Sequence, residues 1–150
     1  MGASYSYHKR NTIRGGQTNI ERVVIHADGA SRGNPGPAGI GATIKNEDGT
    51  LIASISQTIG IATNNQAEYR AIIAALEEAI RLGAQQVDIC LDSQLVVRQI
   101  RGEYRVKNRA LKPLHQRVKQ LQSRLQGFNI RYIPRQQNKE ADKLANIALK

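Results

Sequence analysis

Apolar residues switch between two periods along this chain, and the switches mark its elements. Val23, Val24, Ile25 and Ala27 form a near-continuous apolar run, the pattern of a strand buried on both faces. Residues 29–39 are rich in Gly and Pro and read as a turn. Residues 40–45 predict a second strand, and Asn46-Glu47-Asp48-Gly49 a hairpin turn. Residues 51–59 alternate, with Leu51, Ala53, Ile55, Gln57 and Ile59 on one face of a half-buried third strand. The period then changes to that of a helix. Tyr69, Ile72, Ile73, Leu76, Ala79 and Ile80 share one stripe, with Thr63-Asn64 at its start and Gly83 at its end. Residues 87–91 read as a fourth strand, after which Ser93 caps a short helix reaching Gly102. Leu111, Leu114, Val118, Leu121 and Leu125 mark a basic amphipathic helix over 109–125. Residues 128–133 predict a fifth strand, stopped by Pro134. Asn138 is expected to cap a last helix that turns Ala141, Leu144, Ala145 and Ala148 inward.

Tight turns between the first three strands predict an antiparallel meander. Helices between the later strands predict parallel addition by right-handed crossovers. The expected fold is α/β: a five-stranded mixed sheet, strands 1–3 antiparallel and strands 4 and 5 parallel, with helices on both faces. A length of 150 residues favours one domain, placed at residues 21–150. Residues 1–20 lack any hydrophobic period and read as a tail, flexible or added for expression. No apolar run is long enough for a membrane span, and no secretory signal is evident. The single cysteine, Cys90, reads as a buried strand residue and fits a reducing cytoplasm. No exposed apolar stripe stands out, so a monomer with no obligatory protein partner is expected.

Charge adds a partner class. The formal net charge is +10, and its distribution is uneven. Residues 93–143 hold thirteen Lys or Arg against three acids, while the rest of the chain is balanced at nine of each. A one-sided excess of this kind is the footprint of a polyanion binder, with a merely solvated basic helix face as the alternative.

Against this basic background four acids occupy particular places. Asp28 and Asp92 close predicted strands, and Glu68 and Asp142 open predicted helices. Strand C-termini and helix N-termini meet at one edge of an open α/β sheet, where such folds build sites. Taken singly, Asp92 is equally readable as a helix N-cap and Glu68 as a charge favoured by a helix dipole. Together the four would repel one another and resist burial unless a cation neutralised them. All-oxygen donors with little His or Cys nearby suit magnesium, with manganese as a substitute, over zinc. Asp48, Asp88 and Glu140 read as turn, strand-start and helix-surface charges. His8, His26 and His115 read as structural or surface residues.

The order of these segments resembles type 1 ribonuclease H. Residues 28–39, beginning Asp28-Gly29-Ala30-Ser31, resemble that family's first acidic motif. Thr63-Asn64-Asn65-Gln66-Ala67-Glu68 resembles the second, Asp92-Ser93-Gln94 the third and Asn138-Lys139-Glu140-Ala141-Asp142 the fourth. The likeness covers about residues 22–149. It implies an endoribonuclease that cuts the RNA strand of an RNA–DNA hybrid with two magnesium ions, leaving 5′-phosphate and 3′-hydroxyl ends. It further implies that Asp28 bridges the ions, that Glu68 and Asp92 share the one nearer the leaving oxygen, and that Asp142 holds the one that activates water. Asn34, Asn64, Asn65 and Gln94 would contact base edges in the minor groove and ribose, and backbone groups near Ala30 and Ser31 the 2′-hydroxyls that separate RNA from DNA.

Two departures from the family pattern are visible. The loop before the last helix, where many relatives carry a His, reads Pro134-Arg135-Gln136-Gln137. Arg135 stands as a phosphate or product contact but cannot serve as a base at neutral pH. The Trp-bearing basic handle of some relatives is replaced by a short link, in which Arg105, Lys107 and Arg109 are expected to grip the DNA backbone and Tyr104 to stack on a sugar or pack. Rival readings are a non-catalytic hybrid-binding module and a nuclease domain belonging to a reverse transcriptase or fusion protein.

Overall fold

A computed structural model describes residues 5–7 and 20–150. The remaining residues of the expected tail, His8 among them, lie outside the described residues. Six strands form one sheet: β1 (Tyr5–Tyr7), β2 (Arg22–Ser31), β3 (Gly36–Asn46), β4 (Leu51–Ala62), β5 (Gln86–Leu91) and β6 (Gly127–Tyr132), in the order β1-β4-β3-β2-β5-β6. The meander β2–β3–β4 is antiparallel, and β5 and β6 add in parallel beside β2. The five expected strands are therefore present in the expected senses. A sixth falls within the segment read from sequence as a tail: Tyr5–Tyr7 pairs antiparallel with residues 53–55 of β4. A three-residue strand is too short to show a period, and the open edge of β4 supplies its hydrogen-bonding partner.

Helix α1 (Asn64–Arg81) lies on one face of the sheet and α4 (Lys139–Ile147) on the other; α2 (Gln94–Ile100) follows β5, and α3 (Lys112–Gln122) packs outside α1. Thr63 caps α1 through a complete capping box, accepting from the Gln66 amide (3.1 Å) while the Gln66 side chain accepts from the Thr63 amide (2.8 Å). Such a cap contributes about 1 kcal/mol. Burying Ile72 and Leu76, both fully enclosed, contributes roughly 1.5–3 kcal/mol each. Packing thus holds the helix, and the cap fixes where it begins. Tyr69 is also fully buried, and its hydroxyl donates to Gln99 Oε1 at 2.8 Å, which joins α1 to α2.

The Gly- and Pro-rich stretch is not a long turn. Strands β2 and β3 run through most of it, pairing out to Ser31 and Ala38, and residues 32–35 alone reverse the chain. Gly29 at its start and Gly41 just beyond it serve close packing. A Cβ on Gly29 would overlap the backbone of Ala67 and Glu68, and one on Gly41 would overlap Ala141 and Ala145. Each absent side chain lets a helix backbone settle on the sheet beside an acidic residue. Helix α4 is tied down further by Ser56 Oγ donating to Leu144 O (2.7 Å) and by the Lys45–Glu140 ion pair (2.9 Å). Replacing Gly41 by Ala is expected to destabilise the protein by about 1–3 kcal/mol through overpacking. Urea unfolding measures this, and an unchanged midpoint would contradict the seating of α4 on β3.

Candidate active site

Asp28 lies inside β2, three residues before its end, while Asp92 follows the last residue of β5. The two strands are parallel neighbours with Ala27 opposite Leu91, so both carboxylates emerge at the same sheet edge. Glu68 sits in the first turns of α1, brought over β2 by the absent side chain of Gly29, whose amide donates to Glu68 Oε1 at 3.2 Å. Asp142 occupies the first turn of α4, and its neighbour Ala141 rests on Gly41, the strand partner of Asp28. All four acids line one cleft of about 370 Å³, together with Gly29, Ala30, Ser31, Asn64, Arg135 and Asn146.

Within the cleft the acids are not equivalent. Asp28, Glu68 and Asp92 each offer an oxygen within 4.8 Å of the others. Asp142 stands outside that trio. Its Oδ1 accepts from Asn146 Nδ2 (3.2 Å) and faces Arg135 Nη2 at 3.6 Å. Asp28 and Glu68 are 6% and 8% exposed, so both have lost most of their water. Burial, then the Asp92 charge, then Asp142 push the Asp28 carboxyl up to about 8. Burial, then the charges of Asp28 and Asp92, raise Glu68 well above the usual carboxylate range against the pull of the Gly29 amide. A trio of hard oxygen donors, two of them buried carboxyls that resist ionisation, fits a divalent cation of the magnesium type.

The amides divide into two groups. Asn34, Asn64 and Asn65 come together along a second cleft of about 410 Å³, which adjoins the first at Asn64 and is also lined by Thr63, Gln66, Asn108, Ala110 and Leu111. Asn34 Oδ1 accepts from the Asn64 amide (2.9 Å) and Asn64 Oδ1 from the Ser31 amide (3.0 Å). The oxygens thus brace the β2–β3 turn against α1, while the Nδ2 donors make no internal hydrogen bond among the described residues. The Ser31 amide is thereby engaged by Asn64, which leaves the other backbone groups near Ala30 and Ser31 for the expected 2′-hydroxyl contacts. Gln94 opens α2 beside Asp92 and is exposed, but lines neither cleft.

Arg135 is 80% exposed and lines the acidic cleft. Arg105, Lys107 and Arg109 are exposed on the link between α2 and α3 and also line neither cleft. Tyr104 packs its ring against the Arg98 guanidinium at 5.3 Å. The basic helix is shorter than its stripe, Lys112–Gln122, because Asn108 Oδ1 accepts from the Ala110 amide and holds a turn ahead of it. His26 is half-buried, with burial and then Lys45 lowering its pKa, and His115 stands edge-on to Tyr69.

Two residues that touch the acids escape sequence reasoning. Asn138 reads from sequence as a cap, yet its side chain makes no capping hydrogen bond; it is 1% exposed and donates to Ala27 O (2.9 Å) and Asp92 Oδ2 (3.3 Å). Asn146 carries no motif, although its position four residues after Asp142 places it on the same helix face.

Comparison with known proteins agrees with this geometry. Residues 26–148 match the family described as reverse transcriptase-like. A bifunctional protein of Mycobacterium tuberculosis is 47% identical over 85% of this chain, and the chain spans about a third (35%) of that relative's length. Ribonuclease HI of Halobacterium salinarum is 42% identical over 96% of this chain and 77% of its own. Its crystal structure superposes with a TM-score of 0.83, covering 85% of this chain and 97% of that one. LC11-RNase H1, solved in complex with an RNA/DNA hybrid, superposes with a TM-score of 0.81 at 40% identity, covering 84% and 95% of the two chains. By these matches the chain is a member of the reverse transcriptase-like family and, more narrowly, of type 1 ribonuclease H.

Proposed function

We propose that this chain is an endoribonuclease that hydrolyses the RNA strand of RNA–DNA hybrids, leaving 5′-phosphate and 3′-hydroxyl ends. The observation that carries the reading is the convergence of four carboxylates on one cleft, three of them with oxygens within 4.8 Å of one another. A relative of the same fold is known with an RNA/DNA hybrid bound, and the basic excess of residues 93–143 suits a duplex polyanion.

Asp28, Glu68 and Asp92 would hold the divalent ions, with Asp142, which lines the same cleft, completing the set. When bound there, two magnesium ions, or manganese in their place, would supply Lewis-acid chemistry that favours attack by water and offsets negative charge at the reacting phosphate. The chain's own part is positioning. Adjacent strands and two helix starts present the carboxylates, and the Gly29 amide orients Glu68. The Nδ2 groups of Asn34, Asn64 and Asn65 donate to base edges and ribose without adding charge, which leaves sequence preference slight. Arg135 at the rim offers a cation to phosphate. Arg105, Lys107 and Arg109 hold the DNA strand further out. A monomer in a reducing cytoplasm remains the expected setting.

A labelled hybrid incubated with magnesium or with EDTA tests the reading. Cleavage is expected in magnesium alone, and Asp92→Asn should fold normally while losing cleavage; near-normal turnover by that variant would remove Asp92 from the site. Replacing Arg105, Lys107 and Arg109 together by Ala should weaken hybrid binding and flatten its salt dependence, by a log–log slope of roughly one for each phosphate no longer neutralised. Filter binding across a salt series measures this.

The raised carboxyls also set a pH dependence. An unfolded Asp loses its proton near 3.8, whereas Asp28 in the folded, metal-free protein keeps it to about 8. Between those values the folded state holds the extra proton. The group's contribution to stability is therefore full below the unfolded pKa and is lost as pH rises through the folded one. Thermal unfolding in EDTA should weaken from pH 5 to pH 8 more steeply in wild type than in Asp28→Asn. Magnesium should raise the midpoint more at pH 8 than at pH 5. Parallel pH profiles for the two proteins would contradict the buried-carboxylate account.

A further inference from the structure

We infer that Asn138 is a positioning residue for the metal-binding carboxylates, a role that rests on the function proposed above. The registered pairing of β2 with β5 runs from Arg22–Gln86 to Ala27–Leu91 and stops there. Asp28 and Asp92, the next residue on each strand, lie beyond its last rung. Asn138 spans that point. A single Nδ2 donates to Ala27 O, in the peptide that leads into Asp28, at 2.9 Å, and to Asp92 Oδ2 at 3.3 Å. The amide thus fixes the Asp92 carboxylate relative to the backbone that carries Asp28. It does so with a neutral donor, which orients a carboxylate without displacing the cation it is to receive.

Three observations separate this role from helix capping or simple packing. Asn138 stands at the N-cap position of α4, yet its side chain caps nothing. It is 1% exposed, so its amide is fully committed to the interior. Its Oδ1 is buried with no hydrogen-bond partner among the described residues. A buried acceptor without a partner weakens a fold, so a residue selected for stability alone would not leave one. The donor half of the amide is what the site uses. Because Asn138 also begins the helix that bears Asp142, the same side chain links three of the four acids: Asp142 through the helix, Asp28 through Ala27, and Asp92 directly.

Asn138→Ser and Asn138→Ala test the inference. Ser keeps a good helix N-cap but is too short to bridge both acceptors, and it guards against loss of folding in the Ala variant. Titration of the free protein with Mn²⁺ alone, followed by electron paramagnetic resonance of unbound Mn²⁺, reads metal affinity without turnover. Folded Asn138→Ser is expected to bind Mn²⁺ at least about tenfold more weakly than wild type, as when a metal ligand is deprived of the group that orients it. In hybrid cleavage its half-saturating Mg²⁺ should rise by a similar factor, with kcat recovering at high Mg²⁺ and KM for the hybrid changing less than about twofold. A purely structural role would lower the unfolding midpoint and leave Mn²⁺ affinity within twofold of wild type, and that result overturns the inference. If wild type itself takes up no Mn²⁺, the proposed function fails first and the inference falls with it.

Discussion

Removing carboxylates from water and setting them side by side is the constraint around which this molecule is organised. Asp28 and Glu68 are almost wholly enclosed, and each is reluctant to ionise beside neighbouring negative charge. Such a group cannot be held by surface loops, because a loop would relax and readmit solvent. Here the acids are borne by the centre of a sheet and the starts of two helices. Directly behind them lie Ala27, Leu91 and Ala67, none of which is exposed to solvent. The apolar core and the acidic cleft are two sides of the same strands, and the packing of the first offsets the cost of the second.

Much of this was legible from periodicity and from element ends. Val23–Ile25 on β2 announces its strand as a continuous apolar run, and the stripes on α1 and α3 announce their helices because burial on one face forces a repeat. The four acids stood out because each fell at an element boundary on the expected edge. The extent of β2 and β3 was not legible. Gly29 looks like a turn residue in composition and Gly41 falls in a predicted strand, but what both allow is the approach of a helix, at Ala67 and at Ala141. Only the helices, placed far along the chain, reveal the difference. The edge strand at Tyr5–Tyr7 was hidden for a related reason, since its pairing belongs to the open edge of β4 and not to any pattern of its own.

The site was less legible at its second layer. The acceptors of Asn138 lie 111 and 46 residues away, so local reasoning assigned it the commonest task of an Asn before a helix. Arg135 and Asn146 both approach Asp142, the one acid outside the trio formed by Asp28, Glu68 and Asp92, a distinction that four similar motifs could not disclose. The basic link from Arg105 to Arg109 lies on the surface but outside the clefts.

The parallel pairing of β2 with β5 has one more consequence. Neighbouring strands in any sheet stand about 4.8 Å apart, a pitch dictated by the peptide hydrogen bond and independent of side chains. Ala27 and Leu91, the residues just before Asp28 and Asp92, form the last rung of that pairing and carry the pitch up to the two acids. Substitutions around the rim can retune what is gripped, how firmly and at what ionic strength, while the ruler underneath keeps its length.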